Sequence, residues 1–210
     1  MPVGGCPISK TMSVTVIIPF KEDRGWLDQA IASVPKDCQL ILAKGDGNKS
    51  QNFNKVLNQV KGDFIRVLDE DDMLTENCID SSLFAIEGYD FIHGNALQMY
   101  SDSQHGRLIP YIPPVKYPTL VDLLEKNVIH NMTTMYRREV FEKVGGYDES
   151  LKWAEDYEFH LRCLSAGLKI GYCNSFLCYY RIHSGQITEE SFKRQQEKME
   201  NRELIKSKYR

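Results

Sequence analysis

Three short runs rich in β-branched residues, Val14 to Phe20, Gln39 to Ala43 and Phe64 to Leu68, occupy the first third of the chain and constrain its fold more than any other feature. Between them lie apolar stripes at helical spacing. Trp26, Leu27, Ala30, Ile31 and Val34 form the first, and Phe53, Val56, Leu57 and Val60 form the second, which Gly62 closes. Strand and helix alternating through short connections imply an α/β fold: a mostly parallel, Rossmann-like sheet with helices on both faces and a ligand crevice beyond the carboxyl ends of its strands. Functional residues are therefore expected just after strands.

Further along, Ile79, Leu83 and Ile86 mark a helix before a strand at Phe91 to Leu97. Ser101 to Gly106 reads as a turn, and Arg107 to Ile112, running into the proline-rich YIPPVKYP, as an edge strand and loop. The second half suggests a helix from about Thr119, a strand at Met132 to Tyr136, a helix at Arg138 to Val144 ended by Gly145 and Gly146, and a helix marked by Tyr157, Leu161 and Leu164. With no repeat or linker, one domain is expected over residues 13–188, after a loose leader at 1–12 and before a charged helix at 189–210.

At 210 residues and 42% hydrophobic, such a domain needs no disulfide or structural zinc. Its six cysteines include no Cys-x-x-Cys pair and read as free thiols, and His160 with Cys163 lacks a second ligand pair for zinc. No apolar run approaches the roughly 20 residues of a membrane span, and the leader lacks a secretory pattern, so a cytoplasmic location is expected. A net charge of -3 disfavours nucleic acid as a partner. The tail carries seven Lys/Arg against five Glu and few apolar residues; it suits packing on the domain or a partner, with peripheral contact to acidic lipids as the alternative.

Chemistry gathers where FIRVLDEDDML runs an apolar strand into Asp69, Glu70, Asp71 and Asp72. Four adjacent carboxylates repel one another and call for a counter-charge. A hard divalent cation, Mn²⁺ or Mg²⁺, takes oxygen ligands and leaves room for phosphate oxygens, so this strand end suits a metal-diphosphate platform; a solvated acidic turn before a helix near Thr75 is the plainer reading. In LKWAEDYEFHLRC, Glu155 and Asp156 open an amphipathic helix whose dipole favours their ionised form. That state suits a general base, although acids at helix N-termini are also simply stabilising.

The order of motifs VTVIIPFKED, LDEDDML, MYRREVFEKVGGYDESL, WAEDYEFHLRC and YYRIHSGQIT resembles the inverting family 2 glycosyltransferases of GT-A fold, over roughly Ser13 to Thr188. The resemblance implies transfer of a sugar from a nucleotide-diphosphate sugar, a UDP-sugar by preference, to an acceptor hydroxyl with inversion and with a divalent cation. It assigns Asp69 to the donor ribose and the metal, Asp71 to the metal with Asp72 supporting, and Glu70 to the variable middle position. Asp156 becomes the base and Glu155 its orienting neighbour, while His183 falls by the diphosphate or metal and Arg181 within reach of phosphate. Pro19, Phe20, Lys21 and Glu22 would cover the nucleotide; Gly146, Tyr147 and Asp148 would approach the sugar, and Trp153 would stack on the acceptor. The chain departs from the pattern after its second strand, where Ala43, Lys44, Gly45, Asp46 and Gly47 stand in place of adjacent acids; Asp46 or Lys44 would then serve the nucleotide. A sugar-nucleotidyltransferase, a binding module without turnover, and a phosphatase using Asp69 are the rival readings. A carbohydrate, a lipid-linked glycan or another hydroxyl-bearing molecule is the expected acceptor.

Overall fold

The structure is a computed structural model that describes residues 12–100, 107–183 and 192–210. Most of the expected leader, the turn at 101–106 and the junction at 184–191 before the tail helix lie outside the described residues. Strand β1 (Val14–Phe20) is buried along its whole length and feeds two cores. Ile17 packs toward Phe53 and Val56 on one face of the sheet, while Val16 and Ile18 pack toward Ala30 on the other. This alternation follows from the two-residue period of a strand covered on both faces.

Helix α1 (Leu27–Ala32), β2 (Gln39–Lys44), α2 (Lys49–Asn54) and β3 (Phe64–Val67) complete the expected alternation. The second stripe does not form one continuous helix. A capping box between Asn48 and Gln51 starts α2, which ends at Asn54, and a 3₁₀ turn at Leu57–Gln59 carries the remaining apolar residues onto the same core.

Beyond the acidic run the chain enters β4 (Met73–Leu74), not a helix; Thr75 Oγ1 donates to the Phe176 carbonyl, and α3 (Cys78–Ala85) begins only after Asn77 in left-handed backbone. There follow β5 (Phe91–Tyr100), the edge strand β6 (Arg107–Tyr111) and α4 (Leu120–Glu125). The strand expected at Met132 to Tyr136 is shorter. Thr133 and Thr134 hydroxyls donate back to the His130 and Asn131 carbonyls and hold a 3₁₀ turn, so that β7 covers only Met135–Arg137. Helices α5 (Arg138–Val144) and α6 (Glu155–Ser165), strand β8 (Ile170–Ile182) and α7 (Phe192–Ser207) finish the described chain.

Among the described residues the strands form one eight-stranded sheet in the order β2-β1-β3-β7-β5-β8-β4, with β6 on β5. Strands β1, β2, β3, β5 and β8 run parallel, while β4, β6 and β7 run against them. The carboxyl ends of β1 and β3 therefore open on the same edge. No helix among the described residues is long and apolar enough to cross a membrane. Helix α7 packs on the domain through the buried Ile205, and just beyond the helix the Tyr209 hydroxyl donates to Glu158 Oε1.

Candidate functional site

A cleft of about 980 Å³ opens beyond the carboxyl ends of β1 and β3. The loop after β1 contributes Pro19, Phe20, Lys21, Glu22 and Arg24; the start of α2 contributes Gly47, Asn48, Lys49 and Asn52; the turn after β3 contributes Asp69, Glu70 and Asp71. Opposite them stand Trp153, Ala154, Glu155 and Asp156 at the head of α6, with Lys198, Met199 and Arg202 of α7 at the margin. The walls are braced by short polar links. Asn52 Nδ2 donates to the carbonyls of Phe20 and Gly45 at 3.0 Å each, which ties the loops after β1 and β2 together.

The acidic floor is balanced by cations the sequence reading did not single out. Lys49 Nζ lies 2.5 Å from Asp69 Oδ1 and 3.8 Å from Glu155 Oε1, so it spans the cleft from the strand end to the head of α6. Burial disfavours its ammonium form, but the facing Asp69 and Glu155 outweigh that and hold its pKa above the usual lysine value. Arg24 Nε donates to Glu70 Oε1 at 2.6 Å, and its Nη2 donates to Asp71 Oδ2 at 3.2 Å. Burial raises the pKa of Asp69 and of Glu155, with Lys49 opposing in each case. Glu70 is raised by burial and by its neighbours Asp71 and Asp69, against the pull of Arg24.

Asp72 lies beneath the floor. Its Oδ1 accepts the Arg181 backbone N–H at 2.8 Å, while Oδ2 is buried with no hydrogen-bond partner. Burial, reinforced by Asp71 and Asp69, pushes its pKa well above the ordinary range. One oxygen each from Asp69, Asp71 and Asp72 lies within 4.8 Å of the others. Three clustered carboxylates, one of which carries a buried oxygen without a hydrogen-bond partner, fit a divalent cation. His183 Nε2 stands 3.1 Å from Asp71 Oδ2, and its ring packs on Trp26 at a centroid distance of 4.3 Å.

At the head of α6 the chain takes left-handed backbone at Ala154, φ 61°, a conformation that costs a non-glycine residue about 1 kcal/mol or more. This sharp entry places Glu155 and Asp156 in the first turn, and both line the cleft. Asn201 of α7 braces it by donating to the Trp153 carbonyl at 2.8 Å. Farther along α6, Arg162 pairs with Glu158 and donates to the Val144 and Gly146 carbonyls, which fixes the helix against the turn after α5.

Of the residues singled out in the sequence, Pro19, Phe20, Lys21, Glu22, Asp69, Glu70, Asp71, Trp153, Glu155 and Asp156 share the cleft. Others stand outside its lining. Lys44, the last residue of β2, and Asp46 are exposed and do not line the cleft, whereas Lys49 at the start of α2 does. Arg181 does not line the cleft; its Nε donates to the Asp71 carbonyl and its Nη2 to Gln29 Oε1, and its guanidinium lies over the Trp26 ring. Tyr147 is buried against Phe53 and Phe159, and Asp148 accepts from Ser150. Gly146 is required by close approach, since a Cβ there would collide with Asn54 Oδ1. A usable signal for Lys49 existed in the Asn48-x-x-Gln51 capping box, which marks where α2 begins.

Residues 27–145 match the sequence model of Glycosyl transferase family 2. The uncharacterized glycosyltransferase MJ1057 of Methanocaldococcus jannaschii is 25% identical over 152 residues, which cover 70% of this chain and 52% of that protein. The uncharacterized glycosyltransferase YwdF of Bacillus subtilis is 24% identical over 149 residues, again 70% of this chain and 52% of the relative. The chain thus spans about half the length of these relatives. Among solved structures, S. aureus TarS 1-349 in complex with UDP-GlcNAc is similar with a TM-score of 0.66 at 16% identity, over 86% of this chain and 62% of that one. The same fragment in its crystal structure without that ligand named gives 0.63 at 17% identity, over 81% and 60%. These likenesses establish a GT-A fold, as the sequence motifs suggest.

Proposed function

The chain belongs to glycosyl transferase family 2, and from that footing we propose that it transfers a sugar from a nucleotide-diphosphate sugar, with UDP the favoured nucleotide, to an acceptor hydroxyl with inversion. The observation that carries this reading is the meeting in one cleft of the carboxylates of Asp69 and Asp71 at a strand end and of Asp156 at a helix head. Resemblance in fold to a protein solved with UDP-GlcNAc supports the choice of donor class.

In this reading Pro19, Phe20, Lys21 and Glu22 enclose the nucleoside, and Lys49 takes the part that Lys44 or Asp46 would otherwise have had. Asp69, Asp71 and Asp72 would hold Mn²⁺ or Mg²⁺, with His183 beside Asp71. When bound, the cation neutralises charge that develops on the departing nucleotide diphosphate. Asp156 accepts the proton of the acceptor hydroxyl as its oxygen attacks the anomeric carbon. Glu155, tied to Lys49, keeps the head of α6 at a fixed distance from the donor floor. Trp153, with the Lys152 ammonium 4.3 Å from its ring centroid, is the cleft aromatic that would meet the acceptor ring.

The test is transfer or hydrolysis of a panel of UDP-sugars by the wild type and by Asp156→Asn, each with Mn²⁺. Loss of roughly 10²- to 10⁴-fold in turnover, with UDP binding retained, is expected for removal of a general base. Equal turnover by the two proteins would remove Asp156 from that role.

A further inference from the structure

A divalent cation at this floor and Arg24 compete for the same Asp71 carboxylate. Asp71 Oδ2 takes the Arg24 guanidinium at 3.2 Å, while Arg24 Nε is tethered to Glu70 Oε1 at 2.6 Å. The Asp71 side chain is 11% exposed and that of Arg24 is 40% exposed, so the arginine has room to leave and the aspartate does not. Asp71 Oδ2 also faces His183 Nε2 at 3.1 Å, so a divalent cation on this carboxylate, at about 2.0 to 2.6 Å from its oxygen, would set a further positive charge beside the guanidinium and favour departure of the more exposed of the two groups, Arg24. Arg24 also lines the cleft and carries a planar fork suited to phosphate oxygens.

We propose that Arg24 is the resident counter-cation of the Asp71 site, displaced from Asp71 when a divalent metal binds and turned, on its Glu70 tether, toward the anionic diphosphate of the donor. The inference rests on reading the cleft as a nucleotide-sugar site. It makes metal and nucleotide binding mutually favourable through one side chain: the metal releases the arginine, and the nucleotide gives the released arginine a partner. Coupling of this kind is reciprocal, so each ligand tightens the other by the same factor.

The experiment reads binding, with Mn²⁺ and UDP as the probes. Free Mn²⁺ is counted by electron paramagnetic resonance, and UDP binding is followed by calorimetry with and without Mn²⁺, for wild type, Arg24→Gln and Lys152→Gln. Thermal unfolding verifies that each variant is folded. In Arg24→Gln, Mn²⁺ alone is expected to bind about 5-fold or more tighter, UDP in saturating Mn²⁺ about 10-fold weaker, and the mutual tightening to shrink by a similar factor. Lys152→Gln, which removes a cleft charge whose ammonium stands over the Trp153 ring and forms no ion pair with Asp71, is expected to leave Mn²⁺ affinity near the wild-type value. The proposal is overturned if Arg24→Gln leaves Mn²⁺ affinity unchanged or weaker, or if Lys152→Gln tightens it as much, since the effect would then be one of net charge. A wild type that binds neither probe overturns the nucleotide-sugar reading itself; a wild type that binds both, beside an Arg24→Gln without tighter Mn²⁺, removes the role of Arg24 alone.

Discussion

Lys49→Met isolates the electrostatic link between the two halves of the cleft. Methionine keeps the apolar stem and removes the charge that faces Asp69 at 2.5 Å and Glu155 at 3.8 Å. Breaking a fully buried ion pair by deleting one partner costs about 3–5 kcal/mol, and an exposed pair is worth about 0–1 kcal/mol. The Lys49 side chain is 26% exposed, between these limits, so a loss of about 2 kcal/mol is expected. For a domain of this size that corresponds to a fall of roughly 4–8 °C in midpoint. Urea denaturation of Lys49→Met, Asp69→Asn and the double variant measures the cost and its origin. The double variant should recover about 1 kcal/mol or more of the sum of the singles, because it leaves no unpaired carboxylate at position 69. A Lys49→Met protein within about 0.5 kcal/mol of wild type, with additive singles, would refute the claim that Lys49 neutralises the floor.

Other perturbations test separate parts of the structure. Asn52→Ala removes the amide that ties the loops after β1 and β2, and is expected to cost about 1–3 kcal/mol in urea denaturation and to weaken UDP binding. Gly146→Ala drives a methyl group into Asn54 and should destabilise by about 1–3 kcal/mol, with part of the loss recovered in an Asn54→Ala background. Burial lowers the pKa of His160, whose Nε2 meets the Tyr136 hydroxyl at 2.7 Å, from 6.5 to about 4. The unfolded chain then binds the extra proton first, so stability is level above about pH 6.5 and falls as pH drops toward 4, by up to roughly 3 kcal/mol for this histidine. His93 and His130, also lowered to about 4 by burial, act in the same direction. Because the raised carboxylates of Asp69, Glu70, Asp72 and Glu155 act in the opposite direction, the check is the difference between wild type and His160→Gln across about pH 7 to pH 4.5, and a difference that does not change with pH would contradict this.

What the sequence made legible followed periodicity. The strands at Val14–Phe20 and Gln39–Lys44 and the strand leading into the acids stand where the apolar runs placed them: β1 and β3 are buried along their whole length, and β2, with Ile41 and Ala43 buried and Leu42 and Lys44 exposed, shows the two-residue alternation of a strand at the end of the sheet. Strand β8 was not legible. It pairs with β5 across register shifts around Asn95, and its residues alternate irregularly between buried and exposed, so neither a two-residue nor a helical period emerges. In the site, carboxylates stood out because a run of like charge is improbable without a counter-charge, and ten of the residues singled out line one cleft. Their counter-charges did not stand out. Arg24 and Lys49 are single cations in polar stretches, and only the folded backbone brings them against Glu70, Asp71, Asp69 and Glu155. The partners of Arg181 did not stand out either: its backbone N–H meets Asp72 and its side chain meets the Asp71 carbonyl and Gln29, contacts that only the folded chain brings together.

The central claim is that this cleft holds a nucleotide diphosphate through a metal at Asp71. Thermal unfolding of wild type and Asp71→Ala with UDP and Mn²⁺, against UDP and EDTA, tests it most directly. At a ligand concentration about 100 times Kd, binding to the folded state alone adds about 2.7 kcal/mol, a rise of roughly 5–10 °C for a chain of this size. The expected result is such a rise for wild type with Mn²⁺, a much smaller one in EDTA, and none in Asp71→Ala. A folded wild type that shows no shift with any nucleotide, or an Asp71→Ala protein that shifts as far as wild type, would contradict it.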